Sequence, residues 1–492
     1  MLETAQEYLF NNEKTFPMTN DSPLVVSLDQ WPPLSDLEMA STNQWRLPEV
    51  PENDVFHSKQ ANCFKPTQKS EEQKSDYNNV SSAFINRSEE QDKPIPKIAE
   101  LAYFCTCFFF LFAGFLPCQT LLTTVFGNLG YWALFVLYIF FTISIFYSPL
   151  IVQIFSLRVV LFSCSCLVVT FVISILVTLT NPEQLRFVIL VSCALLGSAL
   201  GPMWLSQGAY IGRIIQNAPQ IVGKFNGTFL STYFLAGIIG NLLIAFAIYL
   251  SQTPSYRLLF CILLTLCASG SALFVFLKEP QSKTLDFDTK SILSRTFTII
   301  KERTILLTTP YSISLGLTST FAWGTLPLLL PDPKLVPVLG CLYGVSNLIC
   351  CALAGHGFDR FGWIPLGVYN LSALLLSMLS IMIAHSYQII WLFFLGALLL
   401  GSLEGVENTI IQSTYMKQFP DNVSYCMAAF RITSGIGISI GFLLGLVLPY
   451  QLFIALVTFT TILGLALNTR VTERVKSQEL ESKLALFLSD SS

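Results

Sequence analysis

The chain has 492 residues, of which 53% are hydrophobic and only 12% charged. Soluble domains carry about 25% charged residues, so this composition excludes an ordinary soluble protein. The formal net charge of -3 conceals a division, because residues 1–97 hold 16 acidic against 9 basic residues while the remainder is mildly basic. An acidic tail ahead of an apolar body also argues against nucleic-acid binding.

Residues 1–97 are rich in Ser, Asn, Gln, Glu and Pro, with runs such as Pro32-Pro33 and Ser70-Glu-Glu-Gln-Lys-Ser75. They cannot bury enough apolar surface to fold, and a disordered cytosolic tail is expected. Met1–Phe16 lacks an apolar core after a basic start, so no signal peptide is expected and insertion begins at the first transmembrane helix. Twelve long apolar stretches follow. A bilayer crossing takes roughly 20 predominantly apolar residues. With no water in the hydrocarbon layer, each stretch must satisfy its own backbone as a helix. The first six spans cover about 100–120, 131–153, 158–180, 186–212, 224–250 and 257–277. The second six cover about 304–329, 335–356, 362–384, 388–412, 423–447 and 451–469. The fold class is an all-α polytopic membrane protein in two six-helix bundles, 98–277 and 304–470. A linker, 278–303, joins them, and a cytosolic tail, 471–492, follows. In the linker, Ile292, Leu293, Phe297 and Ile300 alternate with Lys290, Arg295, Lys301 and Arg303, the pattern of an amphipathic helix lying on the membrane surface.

With both termini cytosolic, Lys97, Arg158, Arg213, Lys224, the linker, Arg360, Lys417, Arg470, Arg474 and Lys476 fall inside. Only Arg186, Arg257 and Lys334 fall outside, as the positive-inside rule requires. This orientation puts the sequons at Asn20, Asn79 and Asn86 on the wrong side for glycosylation. It does not distinguish plasma from endosomal membrane. Of the 13 cysteines, all but Cys63 fall in or at the ends of apolar segments. Cys105/Cys107, Cys164/Cys166 and Cys350/Cys351 lack zinc-site spacing. With only His57, His356 and His385 and no P-loop, neither a metal site, a cofactor, an ATP-driven pump nor catalysis is expected.

After the eighth span the chain reads Gly355-His-Gly-Phe-Asp359-Arg360-Phe-Gly362. This G-x-x-x-D-R-x-G resembles the signature loop of the major facilitator superfamily, in the equivalent place of the second half. Its glycines permit a tight turn, and Asp359 suits capping of the following helix. The first half keeps only Arg158 of the pattern. The fourth span holds Gly197-x3-Gly201, a spacing that lets helices approach closely, then Trp204-Leu-Ser-Gln207-Gly208-Ala-Tyr210. Proton-coupled members of the superfamily often place an arginine where this chain has Trp204, which argues against classical proton antiport.

Trp-x-x-Gln-Gly-x-Tyr here also resembles the uncoordinated-ninety-three family of ion channel regulatory proteins, of the major facilitator type. Gln119, Gly227, Gly240-Asn241, Phe430-Arg431 and Gly401-x-x-Glu404 match in order along residues 98–470, although that family favours Asp at the acidic position. The resemblance implies a non-catalytic protein that binds and regulates a membrane partner such as a potassium channel. Two alternatives stay open: a secondary transporter moving a small solute by alternating access, and a trafficking chaperone for membrane proteins.

Glu404, Glu407 and Arg431 are the clearest ionisable residues within spans, where an unpaired charge costs about 2.5–3.5 kcal/mol on insertion scales. Glu404 and Arg431 each lie about 12 Å from the cytoplasmic edge at 1.5 Å per residue, so an ion pair latching the second bundle is expected. Glu404, Asn408 and Gln412 share one helix face at four-residue spacing. With Gln119, Trp204, Gln207, Tyr210, Asn241 and Trp323, Asn408 and Gln412 are the candidates to line a cavity between the halves.

Overall fold

The computed structural model describes residues 98–214, 222–251, 255–279, 294, 298–419 and 423–490. The tail 1–97, with its sequons and Cys63, lies outside the described residues. So does most of the linker helix, of which 294 and 298–300 are described and helical. The described helices belong to one compact unit within residues 87–492.

The first half comprises α1 (Ile98–Phe126), α2 (Asn128–Ile154), α3 (Leu157–Thr178), α4 (Arg186–Ile214), α5 (Val222–Leu250) and α6 (Tyr256–Val275). The second half opens with α7 (Arg303–Thr320), which runs on through a π-helical turn, Phe321–Thr325, and a short helix, Leu326–Leu329. It continues with α8 (Val336–Phe361), α9 (Trp363–Tyr387), α10 (Ile390–Gln418), α11 (Val423–Val447) and α12 (Tyr450–Asp490). Eleven of these helices are long and apolar enough to cross a membrane. The seventh span is the exception in continuity. Its Thr and Ser residues lower its hydropathy, and the π turn splits it, yet Arg303–Leu329 covers the expected crossing. Most of its hydroxyls stay within the helix, where Thr308, Thr309, Ser319 and Thr320 bond back to carbonyls one turn earlier, while the buried Thr318 hydroxyl has no partner.

Local chemistry sets several of the breaks. Ser156 stands between α2 and α3, and its side chain accepts from the Val159 amide, an N-cap that satisfies one orphan donor of α3. At the other signature position the structure corrects the expectation of a loop. Gly355, Asp359 and Arg360 remain helical to the end of α8, and only Gly362, at φ 76°, makes the turn. Gly362 rather than Asp359 also occupies the N-cap position of α9. Arg360 is exposed, its guanidinium 5.2 Å from the Phe361 ring. A second difference lies at the far end. The expected tail 471–492 continues α12 as helix to Asp490. Hydropathy marks where a chain leaves the membrane, and Glu, Lys, Gln, Leu and Ala beyond that point still favour helix.

The two halves repeat one packing scheme. In the first, α2 and α3 pack on α4, while α1 packs on α5 and α6. In the second, α8 and α9 pack on α10, while α7 packs on α11 and α12. The halves meet chiefly where α2 runs against α11 and α5 against α8. Gly197 and Gly201 face α2 so closely that an added Cβ at Gly201 would collide with Ser144 and stand 2.7 Å from Ser148 Oγ. The Gly201 amide donates to Ser144 Oγ at 3.1 Å. Backbone approach of this kind replaces the missing hydrophobic drive between helices in lipid.

Candidate functional site: a cavity between the halves

Between the halves lies a cavity of about 430 Å³, within the size range of small-molecule sites, roughly 300–1,000 Å³. Six of the eight sequence-derived cavity candidates line it: Gln119 from α1, Trp204 from α4, Asn241 from α5, Trp323 from the π turn, and Asn408 and Gln412 from α10. Gln207 and Tyr210 do not. Six residues on from Trp204, at 100° per residue, Tyr210 falls on the other side of α4. Tyr210 is buried instead against Phe104, ring centroids 4.2 Å apart, and its hydroxyl donates to the Lys278 carbonyl at 3.0 Å.

The polar stripe of α10 faces this space, since Glu404, Asn408 and Gln412 all line it. Glu407 sits three residues on from Glu404 and points elsewhere. It is fully buried beside Tyr311 and Ser314 of α7, and neither carboxylate oxygen has a hydrogen-bond partner. Tyr311 is itself engaged, its hydroxyl accepting from Asn370 of α9 at 2.7 Å.

The expected Glu404–Arg431 ion pair is corrected by the geometry. Both side chains line the cavity, but they do not approach within the 4.0 Å of an ion pair. Among the described residues such a contact joins Arg213 to Glu279, at 3.8 Å. Matched depth on sequential helices placed the two charges at one level but left their azimuth open. The Arg431 guanidinium lies 5.4 Å from the Trp204 ring and 5.6 Å from that of Phe430. A cation over an aromatic face is attracted by the ring quadrupole. Glu404 is buried on the opposite charge account, with its Oε2 unpartnered.

Other groups fix the wall. Tyr138 donates to Gln119 Oε1 at 2.7 Å and stacks on Phe442, centroids 5.8 Å apart. Trp323 lies 6.4 Å from the Tyr138 ring. At one end the halves are joined by Tyr131, whose hydroxyl is 3.1 Å from Thr325 Oγ1 and whose ring packs on Phe442 and Gly445. The lining extends away from that end to Gly227, Ala352 and Gln412. Sequence reasoning missed Tyr233 of α5 and Tyr343 and Asn347 of α8, all in the wall. The α8 pair had a signal, because Gly340, Gly344 and Asn347 recur along one helix face with Tyr343 beside them. The π turn that carries Trp323 had none.

The family model described as Major Facilitator Superfamily matches residues 100–442. The chain is similar to the Caenorhabditis elegans protein named putative potassium channel regulatory protein unc-93, 22% identical over an alignment of 427 positions, gaps included, that covers 73% of this chain and 58% of that protein. The chain therefore spans little more than half of that relative's length. Among solved structures it is similar to a D-xylose-proton symporter, at a TM-score of 0.58 and 13% identity over 74% of this chain and 96% of that one. It is also similar to the nucleoside transporter NupG, at a TM-score of 0.57 and 15% identity over 75% and 97% of the two chains. At such identities the likeness speaks for the fold alone, two repeated six-helix halves around a central cavity. Family model, helix packing and cavity agree, and the chain belongs to the Major Facilitator Superfamily.

Proposed function

We propose that this protein is a secondary transporter that binds a small polar solute in the central cavity and exposes it to the two membrane faces in turn. The observation that carries this reading is the wall itself, where amides and aromatics from both halves and two ionisable groups of opposite sign from the second half converge on one space of about 430 Å³. Convergent polar groups in a pocket of this size are the usual form of a small-molecule site. Sites of this fold type lie near the midplane, where rocking of the halves changes their access. With both termini cytosolic, the Tyr131–Thr325 contact closes the outer end and the wall at Gln412 faces the cytosol. The test is solute uptake by the purified protein in vesicles, comparing wild type with Trp204→Ala. Saturable uptake reduced at least about 10-fold by Trp204→Ala at equal incorporation supports the reading; uptake no faster than in empty vesicles, across sugars, nucleosides and amino acids, overturns it.

A second reading draws on the likeness to the C. elegans potassium channel regulator. In it the protein binds a membrane partner such as a channel, or escorts membrane proteins as a trafficking chaperone, and the cavity is a structural remnant. Crosslinking and affinity purification from native membranes test it. A stoichiometric channel subunit, lost with Arg431→Ala at unchanged expression, supports regulation; an eluate without a membrane partner sinks it.

A further inference from the structure

The separation of Glu404 from Arg431 deepens the transport reading, on which the following rests. Two opposite charges line one cavity without meeting. Glu404 is 8% exposed and its Oε2 has no hydrogen-bond partner. Two more wall groups are in the same position: Asn241 Oδ1, in a residue 6% exposed, and the Tyr343 hydroxyl, in a residue 9% exposed. Buried polar atoms are seldom left unpaired in a protein without a reason. Three unpartnered oxygens, one of them on a carboxyl group, make a set that receives N–H donors. Arg431 is the opposite kind of group. Its planar fork matches a carboxylate with two parallel hydrogen bonds, and the Trp204 and Phe430 rings, 5.4 and 5.6 Å from its guanidinium carbon, flank it on the cavity wall. Trp204, Tyr233 and Trp323 add apolar surface for the body of a solute.

We infer that the cavity takes a zwitterion, an organic solute with an ammonium group received by Glu404, Asn241 and Tyr343 and a carboxylate received by Arg431. A solute with one charge leaves the other protein charge unpaired in a low-dielectric site, where an unpaired charge is strongly disfavoured. A neutral solute leaves both. The zwitterion satisfies both at once and makes no net change in the charge of the cavity.

The experiment measures binding to the purified full chain in detergent, by calorimetry and by thermal shift. The probes are leucine, phenylalanine, tryptophan and γ-aminobutyrate, whose charges stand further apart, each with its methyl ester and its N-acetyl derivative. At least one zwitterion is expected to bind about 10-fold or more tightly than both of its capped forms. Glu404→Gln should erase its preference over the N-acetyl acid, and Arg431→Gln its preference over the ester. If Arg431→Gln does not purify, Arg431→Lys should weaken the zwitterion while leaving the ester unchanged, since it keeps the charge and loses the fork. Equal binding of capped and uncapped forms, no binding of any zwitterion, or preferences that survive both substitutions overturn the inference. Flux in vesicles separates this outcome from that of the transport reading. A bound zwitterion that is not moved sinks transport alone, whereas flux of an uncharged solute with no zwitterion bound sinks the zwitterion alone.

Discussion

Glu407 concentrates the energetics of single residues in this protein. Its carboxylate is fully buried, and both oxygens lack partners. A carboxyl held there without partners is expensive to ionise, and an amide of the same shape cannot ionise at all. Glu407→Gln is therefore expected to melt at or above the wild-type temperature in detergent. Glu407→Ala, which also leaves a void, should lose about 2–3 kcal/mol of stability. A lower melting temperature for the glutamine variant would show that the carboxyl group itself is held by a partner. Tyr138 offers the complementary case. Its bond to Gln119, at 2.7 Å, fixes the amide in the cavity wall. Tyr138→Phe should cost about 1 kcal/mol and raise the KM for solute more than it lowers kcat, a split that uptake kinetics would reveal. Sequence named Glu407 and Gln119 through residue type and depth within a span. It could not assign their neighbours, because Tyr311 beside Glu407 and Tyr138 bonded to Gln119 come from other helices.

At the level of helices, the spans were legible because lipid permits only one solution for a long apolar segment. Boundaries shifted where another signal competed with hydropathy, as at α12, where helix propensity outlasts the membrane. The Gly197–Gly201 spacing was legible as a contact face, but its partner, α2, was not. Within α4 this makes a clean comparison. Gly201→Val brings side-chain atoms into Ser144 and Ser148 and should lower the melting temperature by several degrees, through a loss of about 2–4 kcal/mol. Gly208→Ala meets nothing within 4 Å and should be neutral or slightly stabilising. If both variants melt alike, α2 and α4 do not depend on close backbone approach. The seventh span carries the largest departure from regularity. Its π turn inserts an extra residue into the helical register at Trp323, and π turns often mark functional positions. No feature of Thr318–Thr325 announced it, since the turn is held by packing on Phe442 and Tyr131 from α11 and α2.

For the molecule as a whole, transport requires the α2–α11 and α5–α8 seams to change their relation as the halves rock. A Cβ built on Gly435 of α11 stands 3.6 Å from Thr142 Cβ of α2, within the Cβ–Cβ range of a disulfide, about 3.5–4.5 Å. A Thr142→Cys/Gly435→Cys double variant should crosslink under mild oxidation and lose uptake at least about 10-fold, with recovery on reduction. Uptake that continues unchanged in the crosslinked protein would show that this seam does not open. The amino-acid sequence by itself determined the membrane class, the twelve crossings, the six-plus-six division and six of the polar or aromatic groups that line the cavity, because burial in lipid leaves composition and period as sufficient instructions. Tertiary structure alone decided that Glu404 and Arg431 stand apart in one cavity, that Gln207 and Tyr210 stay out of its wall, and that Tyr233 joins it. Depth along a helix follows from counting residues, but azimuth and partner follow only from how the helices pack on one another.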